Sequence, residues 1–416
     1  MRPGRLAILV SAVVLARTVV AQQPAEWAQW RGPDRTGLSK ETGLLKLWPA
    51  GGPKLLAKFT GLGEGYTTPS FARGRIFGMG LFGEEEKVWA LDANGQVVWA
   101  TKIAGLTTLG GRQGGFGPRS TPTVEGDLLW AEGVGGDIVC LEAATGKLRW
   151  QKNLVSDFGG RVPQWGYSES PLLDGNQVII TPGGRTATVV ALNKLTGEVV
   201  WKCVVPEGDP AGYASPIVIE FGGVRQYVQF LGRGVVGVAA KDGQFLWRYN
   251  APANGTANCS TPLYHDGHVF AASGYNNGGG LAKLTADGGA ITATQVYFSK
   301  SMLNHHGGMV RIGDHLYGFD NATLTCLDWK TGDVKWANRS VGKGSVFFAD
   351  GHLIARSERG PVALVEATPT GYLEKGQFIQ PERTTNPAWA HPVVVGGKLY
   401  LRDQDALFVY ELSDRR

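Results

Sequence analysis

"CLEAATGKLRW" (Cys140–Trp150) and "CLDWKTGDVKW" (Cys326–Trp336) spell nearly the same phrase far apart in one chain. Three further copies read "ALDANGQVVW" ending at Trp99, "ALNKLTGEVVW" ending at Trp201 and "GVAAKDGQFLW" ending at Trp247. Each runs from an apolar strand through a short polar stretch and a Gly into a second strand that ends in Trp. This is tight-hairpin chemistry. The short side chain accepts hydrogen bonds from turn amides, and Gly supplies the positive φ that closes the turn. The Trp then returns on the second strand to cover an apolar seam, burying roughly 150–250 Å².

A second phrase opens each unit: Ser/Thr-Pro, a few apolar residues, a Gly/Asp turn and another apolar strand, as in "STPTVEGDLLW" and "ESPLLDGNQVI". Its copies are anchored at 69, 122, 171, 216, 262, 309, 346 and 392, with Met309 and Val346 replacing Pro in two of them. A spacing near four dozen residues with about four strands per unit predicts a β-propeller. The expected fold is all-β: eight four-stranded antiparallel blades. The last unit holds only three strands, "HPVVV", "KLYLR" and "ALFVYEL", while "PKLLAKF" (53–59) stands unpaired at the front. The ring is therefore expected to close by an N-terminal strand, which removes exposed sheet edges.

The chain divides into an expected signal peptide (1–21), an N-terminal strap (22–52) and the propeller (53–412). Residues 1–21 carry Arg2 and Arg5, then an apolar run, then Val19 and Ala21 in a cleavage-site pattern, so a secreted or periplasmic protein is expected. No transmembrane segment is expected, since the apolar run is short and broken by Arg17. Losing Arg2, Arg5 and Arg17 takes the 41 basic residues to 38 against 36 acidic ones, a charge of +2, which does not imply nucleic acid. Cys140, Cys203, Cys259 and Cys326 fall in different units and are expected to be free thiols. Trp27 and Trp30 in the strap are expected to cover a blade seam.

The inner strand of each blade starts at one face, so the residues just before each anchor should ring the channel mouth. Three positions before the anchors stand Tyr66, Arg119, Ser168, Tyr213, Cys259, His306, Lys343 and Trp389. Neighbouring positions add Tyr167, Glu169, Asn258, His305 and His391. The loops between second and third strands open onto the same face, and one of them adds Arg402 and Asp403. Repeated positions serve the fold; residues that differ from blade to blade at a convergent face are candidates for a site. Three readings stand side by side. The polar groups satisfy one another in a water-filled channel. Alternatively, Arg119, His306, Lys343 and Arg402 hold a small polar or anionic ligand, with Trp165, Tyr167 or Trp389 stacking on it. In the third, Glu169, Asn258 and Asp403 ligate calcium, or His305, His306 and His391 a softer ion. No hydrolase or phosphate-loop motif occurs.

The "ALDxxTGxxxW" phrase, its period and the eight units resemble the pyrroloquinoline-quinone (PQQ) repeat of the quinoprotein alcohol dehydrogenase-like propellers. The resemblance covers about residues 50–412. In layout, including "WAQWRGPDRTG" (27–37), the chain is most similar to secreted BamB-like repeat proteins. The resemblance implies PQQ and calcium in the channel of the enzymes, often beside a disulfide between adjacent cysteines. This sequence has no Cys-Cys pair and no c-type haem motif. The expectation is a binding or scaffold protein with no resident cofactor, taking a small polar ligand or an envelope protein as partner. The alternative is a dehydrogenase using PQQ and calcium. A third is an assembly-factor-like scaffold.

Overall fold

The computed structural model describes residues 26–109 and 117–414; the expected signal peptide lies outside them. Among the described residues there is no helix, and the strands form eight four-stranded antiparallel sheets arranged as an eight-bladed β-propeller. Blades 1 to 7 span 70–105, 123–153, 172–203, 217–249, 263–299, 310–338 and 344–379, and each is built from consecutive strands. Blade 8 combines strands from 393–411 with the N-terminal strand Leu55–Phe59, which pairs antiparallel with Ala406–Glu411 (Leu55↔Tyr410, Phe59↔Leu407). The chain's two ends thus share one sheet, and the ring closes.

The repeated Trp stitches blades together. Trp99 Nε1 donates to Ala143 O (3.1 Å), Trp150 to Lys194 O (2.9 Å), Trp201 to Ala240 O (3.1 Å) and Trp336 to Thr368 O (2.7 Å), each acceptor in the following blade or its edge. The repeated Ser/Thr serves the inner ring. Thr121 N donates to Ser170 Oγ (2.9 Å), Ser170 N to Ser215 Oγ (2.9 Å), and His391 N to Thr68 Oγ1 (2.8 Å), so amides that face no strand find a partner in the next blade. The Pro that follows has no amide to satisfy, which suits the first position of a strand beside the channel.

The strap does more than cover a seam. Trp27 pairs with Phe71 in blade 1 (2.8 and 3.0 Å), and Ala28 O accepts from Val124 N in blade 2 (2.8 Å). The Arg35 guanidinium donates to Ser170 O (3.1 Å), Pro171 O and Pro216 O (3.0 Å) at the starts of blades 3 and 4. Trp30 Nε1 donates to Thr261 Oγ1 (2.9 Å) before blade 5, and Arg31 to Met309 O before blade 6. Ser39 N donates to Phe348 O (2.8 Å) in blade 7, and Leu45 N to Leu412 O (2.7 Å) at the end of blade 8. One short segment therefore touches every blade. Trp27 packs in the core between blades, as expected, whereas Trp30 does not sit in a seam. Its ring faces the central cavity against His391, with ring centres 4.6 Å apart. All four cysteines are free; Cys140, Cys203 and Cys326 are buried and Cys259 is partly exposed.

Candidate functional site

The inner-strand starts converge on a cup of about 140 Å³ at the axis. Trp30 of the strap, with Thr68, Ser170, Ser215 and His391, lines it beside the inner hydrogen-bonded ring. One wall is Tyr66 and Trp389, with rings 4.8 Å apart; another is Trp165 and Tyr213 at 5.8 Å; a third is Tyr275, His305 and His306.

Seven of the eight positions that lie three residues before the anchors line this cup: Tyr66, Arg119, Ser168, Tyr213, Cys259, His306 and Trp389. Lys343 does not. Unit 7 has no Pro to delay its inner strand, which already starts at Gly344 paired with Ser357. Lys343 instead lines an adjoining depression with His305 and Tyr275.

The other expected site residues separate by the parity of an extended chain, where successive side chains point to opposite sides. Ser168 and Ser170 face the cup, so Tyr167 and Glu169 turn into the blades. Tyr167 donates to Pro182 O (2.8 Å), and Glu169 accepts from Gln229 Nε2 (2.6 Å). Ala257 and Cys259 face the cup, and Asn258 between them donates to the carbonyls of Leu231 (2.9 Å) and Gly232 (3.2 Å). Arg402 is buried between blades 8 and 1, where it donates to Gly63 O (3.0 Å), Met79 O (2.5 Å) and Gln404 O (3.0 Å). Asp403 accepts from Arg383 Nε (2.9 Å) and Thr384 Oγ1 (3.0 Å). Arg402 and Asp403 thus hold the seam and do not reach across the mouth. Arg119, His305, His306, Trp389 and His391 are the expected site residues brought together.

Electrostatically the cup has a clear sign. Among the described residues no Asp or Glu lines it. Arg119 lies against the faces of Tyr66 (5.0 Å) and Trp389 (5.9 Å); its Nη1 donates to Gly117 O (3.0 Å), and its buried Nη2 has no acceptor among the described residues. Burial holds the Arg119 guanidinium below its usual range. Burial, with His306 adjacent, takes His305 down to about 3, and burial near Arg31 takes His391 to about 3, so both imidazoles are neutral at physiological pH. His305 Nδ1 is also buried without a partner.

Behind the wall sits a carboxylate that the sequence pattern does not single out. Glu358 lies 3.1 Å from His306 Nε2, 3.2 Å from Trp389 Nε1 and 3.8 Å from Lys343 Nζ. Burial pushes Glu358 up, but His306 and Lys343 outweigh this and bring it to about 2. It belongs to the turn "SERG" between the second and third strands of blade 7. The equivalent turns of other blades open onto this face, and that equivalence is the signal by which Glu358 could be found.

The oxygen set Glu169, Asn258 and Asp403 does not converge, because each side chain is bound inside a different part of the ring. Among the described residues no three His, Cys, Asp or Glu side chains are placed to hold a metal ion.

The family model described as outer membrane protein assembly factor BamB matches residues 84–338, more than half of the chain. No curated protein matches the sequence significantly. Among solved structures, BamB from Moraxella catarrhalis is similar with a TM-score of 0.61 at 13% identity, covering 87% of this chain and 98% of that one. The quinohemoprotein alcohol dehydrogenase from Comamonas testosteroni gives 0.54 at 12%, covering 96% and 82%. A computationally designed protein, Ika8, gives 0.55 at 11%, covering 86% and 100%. At these identities the likeness is one of fold.

Proposed function

We propose, for a chain that belongs to the PQQ-like repeat family described as outer membrane protein assembly factor BamB, that it acts as a binding protein whose axial cup takes a small anionic ligand. The observation that carries this reading is Arg119 Nη2, buried without an acceptor among the described residues, in a cup that none of their carboxylates lines. A buried donor without a partner costs about 1–3 kcal/mol, and more when charged, so an anion seated against it is favoured. The aromatic walls supply contact area, and the strap fills the axis on one side of the cup.

The PQQ–calcium pair of related enzymes does not fit the residues present. Among the described residues the cup offers no carboxylate, the oxygen donors expected for calcium are engaged elsewhere, and Cys259 has no adjacent cysteine. A scaffold reading, in which the loops dock an envelope protein, draws its support from the family match. A secreted or periplasmic location accords with residues 1–21 read as a signal peptide; among the described residues no helix is long and apolar enough to cross a membrane.

The test is titration with pyruvate, benzoate and galacturonate by calorimetry and thermal shift. Ligand at about 100 times Kd stabilises by about 2.7 kcal/mol, a rise of a few degrees in Tm. Arg119→Gln should abolish that rise, and Arg119→Lys should retain part of it. Equal response of wild type and Arg119→Gln overturns the reading. Co-purification of an envelope protein with both forms would favour the scaffold.

A further inference from the structure

The cup does not stand alone. On one side it shares Tyr213 and Ala257 with a depression of about 510 Å³ that also holds Arg161, Gln164 and Asn254. On the other it shares Tyr275 and His305 with a depression of about 320 Å³ holding Lys343, Asn276 and Asn321. The three form one continuous track across the face, with Arg161, Arg119 and Lys343 in its successive parts. Among the described residues no Asp or Glu lines any of them, and Glu358 stands behind Lys343 at 3.8 Å.

Tyr275 marks the junction. It is 46% exposed, although aromatic, and it sits at φ 53° beside Asn276 at φ 62°. Both lie in the turn between the second and third strands of blade 5, which carries the ring out over the face. The rings along the track already touch one another in pairs: Tyr66 with Trp389, Trp165 with Tyr213, Tyr275 with His305. A ligand ring therefore meets one outer face of each pair and does not slip between two, an arrangement that suits the C–H face of a sugar better than a flat base. His305 Nδ1, buried without a partner among the described residues, offers a hydrogen bond to a hydroxyl.

We infer that this track binds an acidic oligosaccharide, with one uronate carboxylate seated at Arg119 and flanking acidic units reaching Arg161 and Lys343. The inference rests on the reading of the cup as an anion site and extends it from a single anion to a chain.

Calorimetry with three defined probes tests it: galacturonate, its α-linked trimer and the neutral trimer maltotriose. The acidic trimer should bind at least about ten-fold tighter than the monomer, since linked units gain effective concentration, and maltotriose should not compete. Arg161→Ala, at an exposed side chain, and Lys343→Gln, at a half-buried one beside Glu358, should each remove the trimer's advantage over the monomer. A trimer no tighter than the monomer overturns the track and leaves the cup reading standing. Tight trimer binding that depends on Arg161 but ignores Arg119→Gln overturns the seating of a uronate at Arg119 and the cup reading with it. Preference for maltotriose, or for a thymidine hexanucleotide over the acidic trimer, overturns the acidic-glycan assignment.

Discussion

The indole of Trp150 packs on Gly197 of the next blade so closely that a Cβ at Gly197 would stand 2.8 Å from the ring. The same indole donates to Lys194 O three residues before that Gly. Trp99 stands in the same relation to Gly146, where a Cβ would lie 2.5 Å away. The Gly of the repeated phrase thus has two duties: it turns its own hairpin at positive φ, and it is the floor on which the preceding blade's Trp rests. Trp and Gly recur together because each serves the other across a seam.

Trp150→Ala should therefore cost about 3–5 kcal/mol, the usual loss for a buried aromatic. Gly197→Ala should cost roughly 1–3 kcal/mol, from the φ of 74° and from crowding the indole. The double variant should lose less than the sum, because one contact is removed twice. Chemical denaturation of the four proteins checks this; additive losses would show that the Gly and the Trp act independently.

The ring is legible in the sequence because the same solution is written many times over: hairpin turn, seam Trp, Ser/Thr-Pro start. The site is legible only to the level of position. That residues three before each anchor meet at the axis follows from propeller geometry, and it locates Tyr66, Arg119, His306 and Trp389 in the cup. Which neighbours join them depends on side-chain parity at a strand start, and sequence does not state whether Ser168 or Glu169 faces inward. Trp30 reads as a seam residue because the strap has no repeat to compare with. Its actual place is set by Arg31 and Arg35 finding carbonyls on separate blades, a long-range match that no local pattern encodes.

The strap's hold can be measured through Arg35. Its guanidinium satisfies the carbonyls of Ser170, Pro171 and Pro216, and burial takes it down to about 9. Arg35→Met keeps much of the volume but leaves three carbonyls without a donor, at about 1–3 kcal/mol for each that water cannot reach. Hydrogen exchange should then show faster opening at blades 3 and 4, where the lost contacts lie. Unchanged protection there would mean the strap is held by its apolar contacts alone.

Three glutamates give the fold a pH dependence. Glu132 has both carboxyl oxygens buried without a partner; Glu86 accepts from Val134 N at 3.1 Å. Burial raises Glu86 from 4.5 to about 8, and burial together with Glu169 and Glu86 raises Glu132 well above its ordinary range. Glu169 is raised too, chiefly by burial. In the folded state these groups keep their protons where the unfolded chain has released them. Stability should fall as pH rises from about 4.5 to about 8 and level off beyond the folded values. Each group contributes about 1.4 kcal/mol for every pH unit that separates its unfolded and folded pKa. Glu132→Gln should flatten that slope and raise Tm at pH 8. The same slope in wild type and variant would exclude Glu132 as its source.

Cys259 provides a reporter for the cup that does not depend on knowing the ligand. It lines the cup and is partly exposed, while Cys140, Cys203 and Cys326 are buried in the blades. Burial pushes its thiol up to about 12, opposed by Arg119 and Lys343, so little thiolate exists at neutral pH. N-ethylmaleimide should label Cys259 ahead of the other three, slowly at pH 7, with a rate that climbs about ten-fold per pH unit until the thiol titrates. Arg119→Gln removes one of the charges favouring the thiolate and should slow labelling further. An anion seated at Arg119 should protect Cys259, whereas a partner docked only on the outer loops should not. Peptide mapping after timed labelling reads all of this, and modification of Cys140 or Cys326 ahead of Cys259 would mean that the cup is closed to small molecules in solution.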